Sequence, residues 1–282
     1  MKKIKILTLF LPIFFLFGCM HKIEKPMVLS TNVWIGYAPF YYAYEKGWLR
    51  ENGIKFVTTI SLGQTLEYFK RGSFDLFTGT NYEYIEAKKV VKDLVGVKLL
   101  DISKGGDLIY SNKTIDELKN SPKIDAYLEV KSINSMLLEK FAKRYKLKKE
   151  QLNLINKRAD FSIKMKMKKS AVLIVTYKPY DKNLKKVGYR VVVTAQSLKL
   201  KVFDALFVSK KYADKHREKI KRLKNLFDIA LEVLQKNPHD FYKAINRYFY
   251  YKSYGDFKRD LNSISFKDNE SLKYLLKQSE IR

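Results

Sequence analysis

Hydroxyl, amide and aromatic side chains recur at one kind of place in this sequence, directly after predicted strands and at the start of the helices that follow. Hydroxyls, an amide and the N–H groups of a helix N-terminus can hold a sulfonate, carboxylate or phosphate group without a fixed counter-charge. The faces of Tyr37, Tyr82 and Tyr177 can enclose an organic moiety. We therefore predict a binding site for a small ligand. The predicted ligand-binding residues are Gly36, Tyr37, Ala38, Ser61, Thr78, Thr80, Asn81, Tyr82, Ser132, Asn134, Tyr177 and Lys178.

Some of these residues also have a purely structural interpretation. A chain with 20 tyrosines places many of them in its core, and Ser132 would cap the helix after it even without a ligand. The sequence contains none of the common motifs of hydrolases, zinc proteases or nucleotide-binding loops, and its three histidines are scattered. We expect a binding protein that is not an enzyme and has no metal site and no cofactor.

Short apolar runs alternate with amphipathic segments along most of the chain. A first strand is predicted over 28–33, a helix begins at Pro39, and a second strand covers 54–60. The alternation continues to about residue 208, which predicts an α/β fold with doubly wound, mostly parallel sheets. Such sheets bind ligands outside the carboxyl ends of their strands, which is where the predicted site residues lie. A long amphipathic helix and further aromatic helices follow.

The chain is 282 residues long and carries a formal net charge of +27. Its lysines are spread along the whole sequence instead of forming one stripe, and the N-terminus has the features of an export signal, so nucleic acid is not the expected partner. The abundance of Lys, Tyr, Phe, Ile and Asn is typical of an AT-rich genome. The alternative is a positive field that favours anionic ligands and an anionic lipid surface.

The N-terminus combines three lysines within its first five residues with an apolar run over 6–17 and then Gly18-Cys19. This order is typical of a secretory signal, and the apolar run is too short to span a bilayer as a helix. Cysteine directly after glycine resembles the lipobox of bacterial lipoproteins. We predict a signal peptide over 1–18, lipidation of Cys19, a tether over 19–26, and a membrane-anchored protein facing the periplasm or cell exterior. An ordinary cleaved signal or an uncleaved anchor is the alternative.

Several motifs, in the same order and at similar spacing, resemble those of one family of transport proteins. The chain is similar to periplasmic binding proteins of the nitrate/sulfonate/taurine and thiamine-precursor family, and the motifs span nearly all of the sequence after the signal. The main motifs are Gly36-Tyr37-Ala38-Pro39-Phe40-Tyr41, Glu45-Lys46-Gly47-Trp48-Leu49, Arg71-Gly72-Ser73-Phe74-Asp75, Ser132-Ile133-Asn134-Ser135 and Thr176-Tyr177-Lys178-Pro179-Tyr180.

The resemblance implies two α/β lobes of the type II periplasmic-binding-protein fold, joined by two crossover strands, with the ligand held between them. Lobe 1 would comprise residues 27–104 and 203–282, and lobe 2 residues 105–202. The helical C-terminal part would pack on lobe 1. The family usually has Glu where this chain has Lys178, and this exchange of charge favours an anionic ligand.

The resemblance also implies a function. The chain would be a lipid-anchored, monomeric solute-binding protein of an ABC importer, delivering its ligand to a permease and an ATPase. The implied ligand is a small anion similar to a sulfonate, taurine or nitrate, and a pyrimidine precursor of thiamine is the alternative ligand. Two alternatives of other classes stay open, a two-lobed enzyme of cofactor biosynthesis and a sensory lipoprotein.

Overall fold

The computed structural model of the protein describes residues 25–266 and 270–280. The predicted signal peptide, Cys19 and most of the predicted tether lie outside the described residues. Among the helices of the described residues, none is both long enough and apolar enough to cross a bilayer.

The first sheet consists of six strands, which are β1 (Met27–Thr31), β2 (Ile54–Thr58), β3 (Leu76–Thr80), β4 (Leu94–Ser103), β10 (Phe203–Ser209) and β11 (Ile264–Ser265). Their order in the sheet is β11-β4-β10-β3-β1-β2. β1 pairs in parallel with β2 and β3, whereas β10 runs antiparallel to β3 and β4. Every residue of β3 is buried, as expected for a strand covered on both faces of its sheet.

The second sheet consists of five strands, which are β5 (Asp107–Ser111), β6 (Ile124–Leu128), β7 (Leu152–Asn156), β8 (Ala171–Tyr177) and β9 (Arg190–Thr194). Their order is β7-β6-β8-β5-β9. β6 pairs in parallel with β7 and β8, whereas β5 runs antiparallel to β8 and β9. Three parallel strands with an antiparallel strand beside them therefore occur in both sheets.

The chain crosses from one sheet to the other twice, between Ser103 and Asp107 and between Thr194 and Phe203. β5 and β10 each begin on the side of their sheet that faces the other sheet, where the neighbouring parallel strands end. They therefore run antiparallel to those strands. The predicted two-sheet α/β fold is confirmed. The crossover strands make both sheets mixed instead of mostly parallel.

The helices cover the faces of the sheets. We call the first sheet with α1–α4 and α7–α11 the first lobe, and the second sheet with α5 and α6 the second lobe. The α-helices of the described residues are α1 (Ala38–Glu45), α2 (Trp48–Glu51), α3 (Leu62–Lys70), α4 (Asn81–Lys88), α5 (Ile115–Asn120), α6 (Ile133–Tyr145), α7 (Lys210–Lys215), α8 (Arg217–Lys236), α9 (Pro238–Phe249), α10 (Tyr254–Leu261) and α11 (Leu272–Glu280).

The C-terminal helices pack on α1 of the first lobe through aromatic side chains. The ring of Phe40 meets that of Phe227 in α8 edge-on, with centroids 4.9 Å apart, and Tyr42 stacks on Phe241 in α9 at 4.6 Å. The predicted position of the C-terminal part on the first lobe is confirmed. Because α1 is held from behind, the short 3-10 turn before it, which contains Tyr37, is held at the edge of the sheet.

Candidate functional site

A small cavity lies between the two lobes, where strands of both sheets end or begin. Its volume of about 10 Å³ gives room for about one water molecule. Both lobes contribute to the lining, so the cavity can respond to their relative position. We call it the cleft cavity, and its lining residues are Asn32, Trp34, Tyr37, Leu62, Thr80, Asp107, Ile133, Tyr177 and Asp204.

The two lobes are in direct contact around the cleft cavity. The Asn32 side-chain amide, just after β1, donates a hydrogen bond to the Tyr177 hydroxyl at the end of β8, at 3.3 Å. The indole ring of Trp34 meets the ring of Tyr177 edge-on, with centroids 6.0 Å apart. These contacts join residues of different sheets, so the cleft between the lobes is closed.

Two aromatic residues of the lining donate hydrogen bonds to carboxyl groups of the first lobe. The indole N–H of Trp34 donates to both oxygens of Asp101, at 3.2 and 3.0 Å, and the Tyr37 hydroxyl donates to Asp204 Oδ1. The backbone at Gly36 comes so close that a side chain there would overlap the Asp101 carboxylate. Gly36 therefore permits the close packing of Asp101 behind the cavity.

Five buried carboxyl groups lie in or beside the cleft cavity, and within residues 25–266 and 270–280 none of them forms an ion pair. Burial raises the pKa of Asp107 to about 6 and the pKa of Glu129 to about 7. Burial also raises the pKa of Glu83, and it raises the pKa values of Asp101 and Asp204 well above their usual range, with mutual repulsion adding to the effect. The described residues contain no group of three or more His, Cys, Asp or Glu side chains placed to hold a metal ion.

Carboxyl groups of the protein lie at two of the places where the sequence predicts a ligand. Glu83 in α4 accepts hydrogen bonds from the Thr80 backbone at 3.0 Å and hydroxyl, and from the N–H of Ile133 at the start of α6, at 3.2 Å. Asp101 lies against Gly36 before α1. Because helix N-termini attract negative charge, these carboxyl groups would compete there with a ligand anion. The anionic ligand stays a prediction.

Solved structures with a similar arrangement of lobes are known. The chain is similar to the periplasmic aliphatic sulphonate binding protein SsuA from Escherichia coli, with 17% identity, a TM-score of 0.70, and coverage of 91% of this chain and 85% of that one. It is also similar to the alkanesulfonate-binding protein SsuA from Xanthomonas axonopodis pv. citri bound to MOPS, with 15% identity, a TM-score of 0.72 and coverage of 92% and 91%. The chain has the periplasmic binding protein fold.

A third similar structure is the ligand-binding component of an ABC-type import system from Staphylococcus aureus with zinc bound. It shares 12% identity with this chain at a TM-score of 0.68, with coverage of 92% of this chain and 93% of that one. No protein-family model matches the sequence, and no curated protein matches it. The fold that the motif resemblance implies is thus confirmed, whereas identities this low leave the ligand to be argued from the residues.

Three of the predicted site residues, Tyr37, Thr80 and Tyr177, line the cleft cavity of this periplasmic binding fold. Several others form the local structure around it. Gly36 and Ala38 flank Tyr37, and Thr78 shares a hydrogen bond of 2.7 Å with Thr31 at the end of β1. The side-chain amide of Asn81 donates to the Lys201 carbonyl at 3.4 Å, near the second crossing of the chain.

The remaining predicted residues lie at helix starts or away from the cavity. Ser61 caps α3 by accepting from Gln64 N at 3.1 Å, and Ser132 caps α6 by accepting from Asn134 N at 3.2 Å. Asn134 is itself buried and Tyr82 is partly buried, and neither lines the cavity.

Lys178 points away from the cleft cavity. Its ammonium group forms ion pairs with Asp181 at 2.7 Å and with Asp260 at 3.5 Å. It lines a separate, larger cavity of about 580 Å³ beside α10. The exchange of the family's Glu for Lys178 therefore places no positive charge in the cleft cavity.

The sequence reasoning missed six lining residues, and two of the omissions share a cause. Asp107 and Asp204 are near the beginning of β5 and β10, and the rule that ligands lie at carboxyl ends of strands overlooks strands that start at the cleft. Asn32 directly follows the carboxyl end of β1, so the same rule could have selected it. The missed residues are Asn32, Trp34, Leu62, Asp107, Ile133 and Asp204.

Replacing Gly36 by alanine should destabilise the protein strongly. The added methyl group would overlap the Asp101 carboxylate, so the free energy of unfolding should fall by about 1–3 kcal/mol. Gly63→Ala is the matched control, because a side chain at Gly63 in α3 meets no atom within 4 Å and alanine favours a helix. Urea unfolding of both variants measures the difference. Equal stability of Gly36→Ala and the wild type would refute the close packing at Asp101.

Replacing Asp107 by asparagine should stabilise the ligand-free protein more at about pH 8 than at about pH 5. Burial raises the pKa of Asp107 to about 6, and the carboxylates of Asp101 and Asp204 face the same space, while the nearby Ser103 hydroxyl opposes part of the rise. A carboxyl group with a raised folded-state pKa favours folding while protonated, and this contribution is lost as the pH rises through about 6.

Asparagine does not titrate, so the Asp107→Asn variant does not lose this stability. Its free energy of unfolding at about pH 8 should exceed that of wild type by about 1–3 kcal/mol. Urea unfolding of wild type and variant at both pH values gives the difference directly, with the effect of the overall positive charge cancelled between them. An advantage that is the same at both pH values would contradict a titrating Asp107.

Proposed function

We propose that this chain is the solute-binding component of an ABC importer, which captures a small ligand in the cleft cavity. The observation that carries the proposal is the position of the cavity, between two lobes and at the strand edges where doubly wound sheets bind ligands. The similar Staphylococcus aureus structure is a component of such an import system.

Ligand capture would depend on movement of the lobes about the two chain crossings. We assign residues 27–104 and 203–282 to lobe 1 and residues 105–202 to lobe 2, which puts the hinge at the crossings. Opening breaks the hydrogen bond from Asn32 to Tyr177 and the one from the Ile133 N–H to Glu83, and closing restores them. A ligand that contacts both lobes would favour the closed form, and this form would be recognised by a permease and its ATPase.

Export and anchoring complete the proposal. The signal over 1–18 directs the chain out of the cytoplasm, and a lipid on Cys19 would hold the monomer at the membrane surface. A tethered binding protein raises the local concentration of captured ligand beside its permease without any new contact.

Protein purified from its native host, or from cells grown in extracts of that host's medium, should carry a small molecule in the cleft cavity. Mass spectrometry of the compounds released on denaturation should find one compound at close to one equivalent. Tyr177→Ala should lose it, because Tyr177 lines the cavity and joins the lobes.

Tyr250→Ala is the control for this experiment, since Tyr250 is a surface tyrosine that is 61% exposed, and this variant should keep the compound. Absence of any released compound from wild type, together with no effect of Tyr177→Ala on binding of any added solute, would count against a solute-binding function.

Replacing Cys19 by serine should separate anchoring from binding. The variant lacks the sulfur that takes the lipid, so we expect it in the soluble extracellular or periplasmic fraction with its ligand still bound. Uptake of the ligand by cells should fall, because the effective concentration at the permease is lost. Cell fractionation and uptake of the labelled compound measure the two effects. A Cys19→Ser protein that stays in the membrane fraction would contradict lipid anchoring.

A further inference from the structure

The cleft cavity presents hydrogen-bond acceptors that have no donor. Asn32 is 2% exposed and Asp107 is 4% exposed, and both line the cavity. Asn32 Oδ1 and Asp107 Oδ2 accept no hydrogen bond from any described residue. Buried acceptors are almost always paired in folded proteins, so a molecule that occupies the cavity and donates hydrogen bonds would pair both acceptors.

Three donors of the lining are committed to carboxylates of the protein. The indole N–H of Trp34 points to Asp101, the Tyr37 hydroxyl to Asp204, and the Thr80 hydroxyl to a third carboxylate, that of Glu83. An anion that entered the cavity would compete with these carboxylates for the three donors.

The ionisable side chains in and directly behind the lining are carboxyl groups and tyrosines. Asp107 and Asp204 are part of the lining, with Asp101 and Glu83 behind it, and none of the nine lining residues is basic. The aromatic rings of Trp34 and Tyr177 add electron-rich surface, which attracts cations. An anion would be repelled here, whereas a cation would be attracted by both the carboxylates and the rings.

We propose that the ligand of the cleft cavity is a small organic cation, an alkylammonium or amidinium, whose N–H groups donate to Asp107 and Asn32 and whose charge faces Asp204. This inference rests on the proposed solute-binding function and names the class of its ligand. The closed cavity has room for about one water molecule, so the charged head of the ligand must be small and the lobes must lie further apart around it than they do here.

A bound cation would neutralise the carboxylates that protons neutralise in its absence. Without it, closing the cleft buries the carboxyl groups of Asp101, Asp107 and Asp204, and burial raises their pKa values so that they take up protons. Glu83 and the hydroxyls of Tyr37 and Tyr177 face the same space, and none of the nine described residues that line it is basic. A bound cation stabilises the ionised carboxylates, so its affinity should rise between about pH 5 and about pH 8.

Titration calorimetry of the unfolded and refolded, ligand-stripped protein tests the proposal with two pairs of probes matched in shape. One pair is ethylammonium and ethanesulfonate, and the other is acetamidinium and nitrate. Dilute phosphate is the suitable buffer, because Tris is itself an amine and Hepes a sulfonate. We expect binding of a cationic member of a pair and no binding of its anionic partner.

Asp107→Asn should weaken binding of the cation by roughly 10- to 100-fold, because it removes one charge-assisted hydrogen bond. Asp260→Asn is the matched control. Asp260 is also a buried carboxyl group with a raised pKa, but it lies in the separate cavity with Lys178, and its substitution should leave the affinity unchanged. If Asp107→Asn does not fold, the rise in affinity from about pH 5 to about pH 8 replaces it as the decisive measurement.

Binding of ethanesulfonate or nitrate in preference to its cationic partner would overturn the inference and leave the solute-binding function intact. The same holds if the compound released from the purified protein is an anion. A cation affinity that is equal in Asp107→Asn and wild type, or one that falls as the pH rises, would also overturn it. If no probe binds, the inference for small cations fails, and the mass-spectrometric experiment then decides whether the solute-binding function fails as well.

Discussion

The closed arrangement of this protein depends on one carboxylate that satisfies helix starts in both lobes. Glu83 is 1% exposed and accepts from the Thr80 backbone and hydroxyl, which completes the cap of α4. Its other oxygen accepts from the N–H of Ile133, the first residue of α6 in the second lobe. A helix N-terminus has N–H groups that need acceptors, and here one side chain of the first lobe supplies an acceptor to the second. The cap of one helix is therefore also a contact that closes the cleft.

The same use of internal acceptors sets the electrostatics of the site. Carboxyl groups of the protein accept hydrogen bonds from Trp34, Tyr37 and Thr80 around the cleft cavity. The chain as a whole carries +27, whereas none of the nine residues that line the cavity is basic. Net charge describes long-range attraction and solubility, whereas the few groups that line a desolvated cavity decide which ligand it accepts.

The fold does not determine which ligand is bound. Two similar structures are sulfonate-binding proteins, and another is an import component with zinc bound, at identities of 12–17%. A common arrangement of lobes supports different ligands because the contacts come from a few side chains at strand ends. In this chain the side chains at the cleft include Asp107 and Asp204, which is the reason that we propose a cationic ligand.

Much of the architecture could be predicted from the sequence, because the relevant signals are local. A strand predicted over 54–60 is β2 (Ile54–Thr58), and the helix predicted at Pro39 is α1 (Ala38–Glu45). The caps at Thr80 and Ser132 also follow from neighbours within three residues. The carboxyl-end rule, which needs only the order of strands and turns, selected Tyr37, Thr80 and Tyr177, and these three residues line the cavity.

The charge of the site was decided by the tertiary structure alone. Asp107 and Asp204 reach the cleft because β5 and β10 enter their sheets in the antiparallel direction, which no local pattern shows. Glu83 meets Ile133 across 50 residues of sequence, and Asp101 fits only because Gly36 has no side chain. The sequence by itself determined which segments are strands and helices and which strand ends carry polar groups. Only folding determined that the helix starts are satisfied by the protein's own carboxylates, because that depends on distances between residues far apart in the chain.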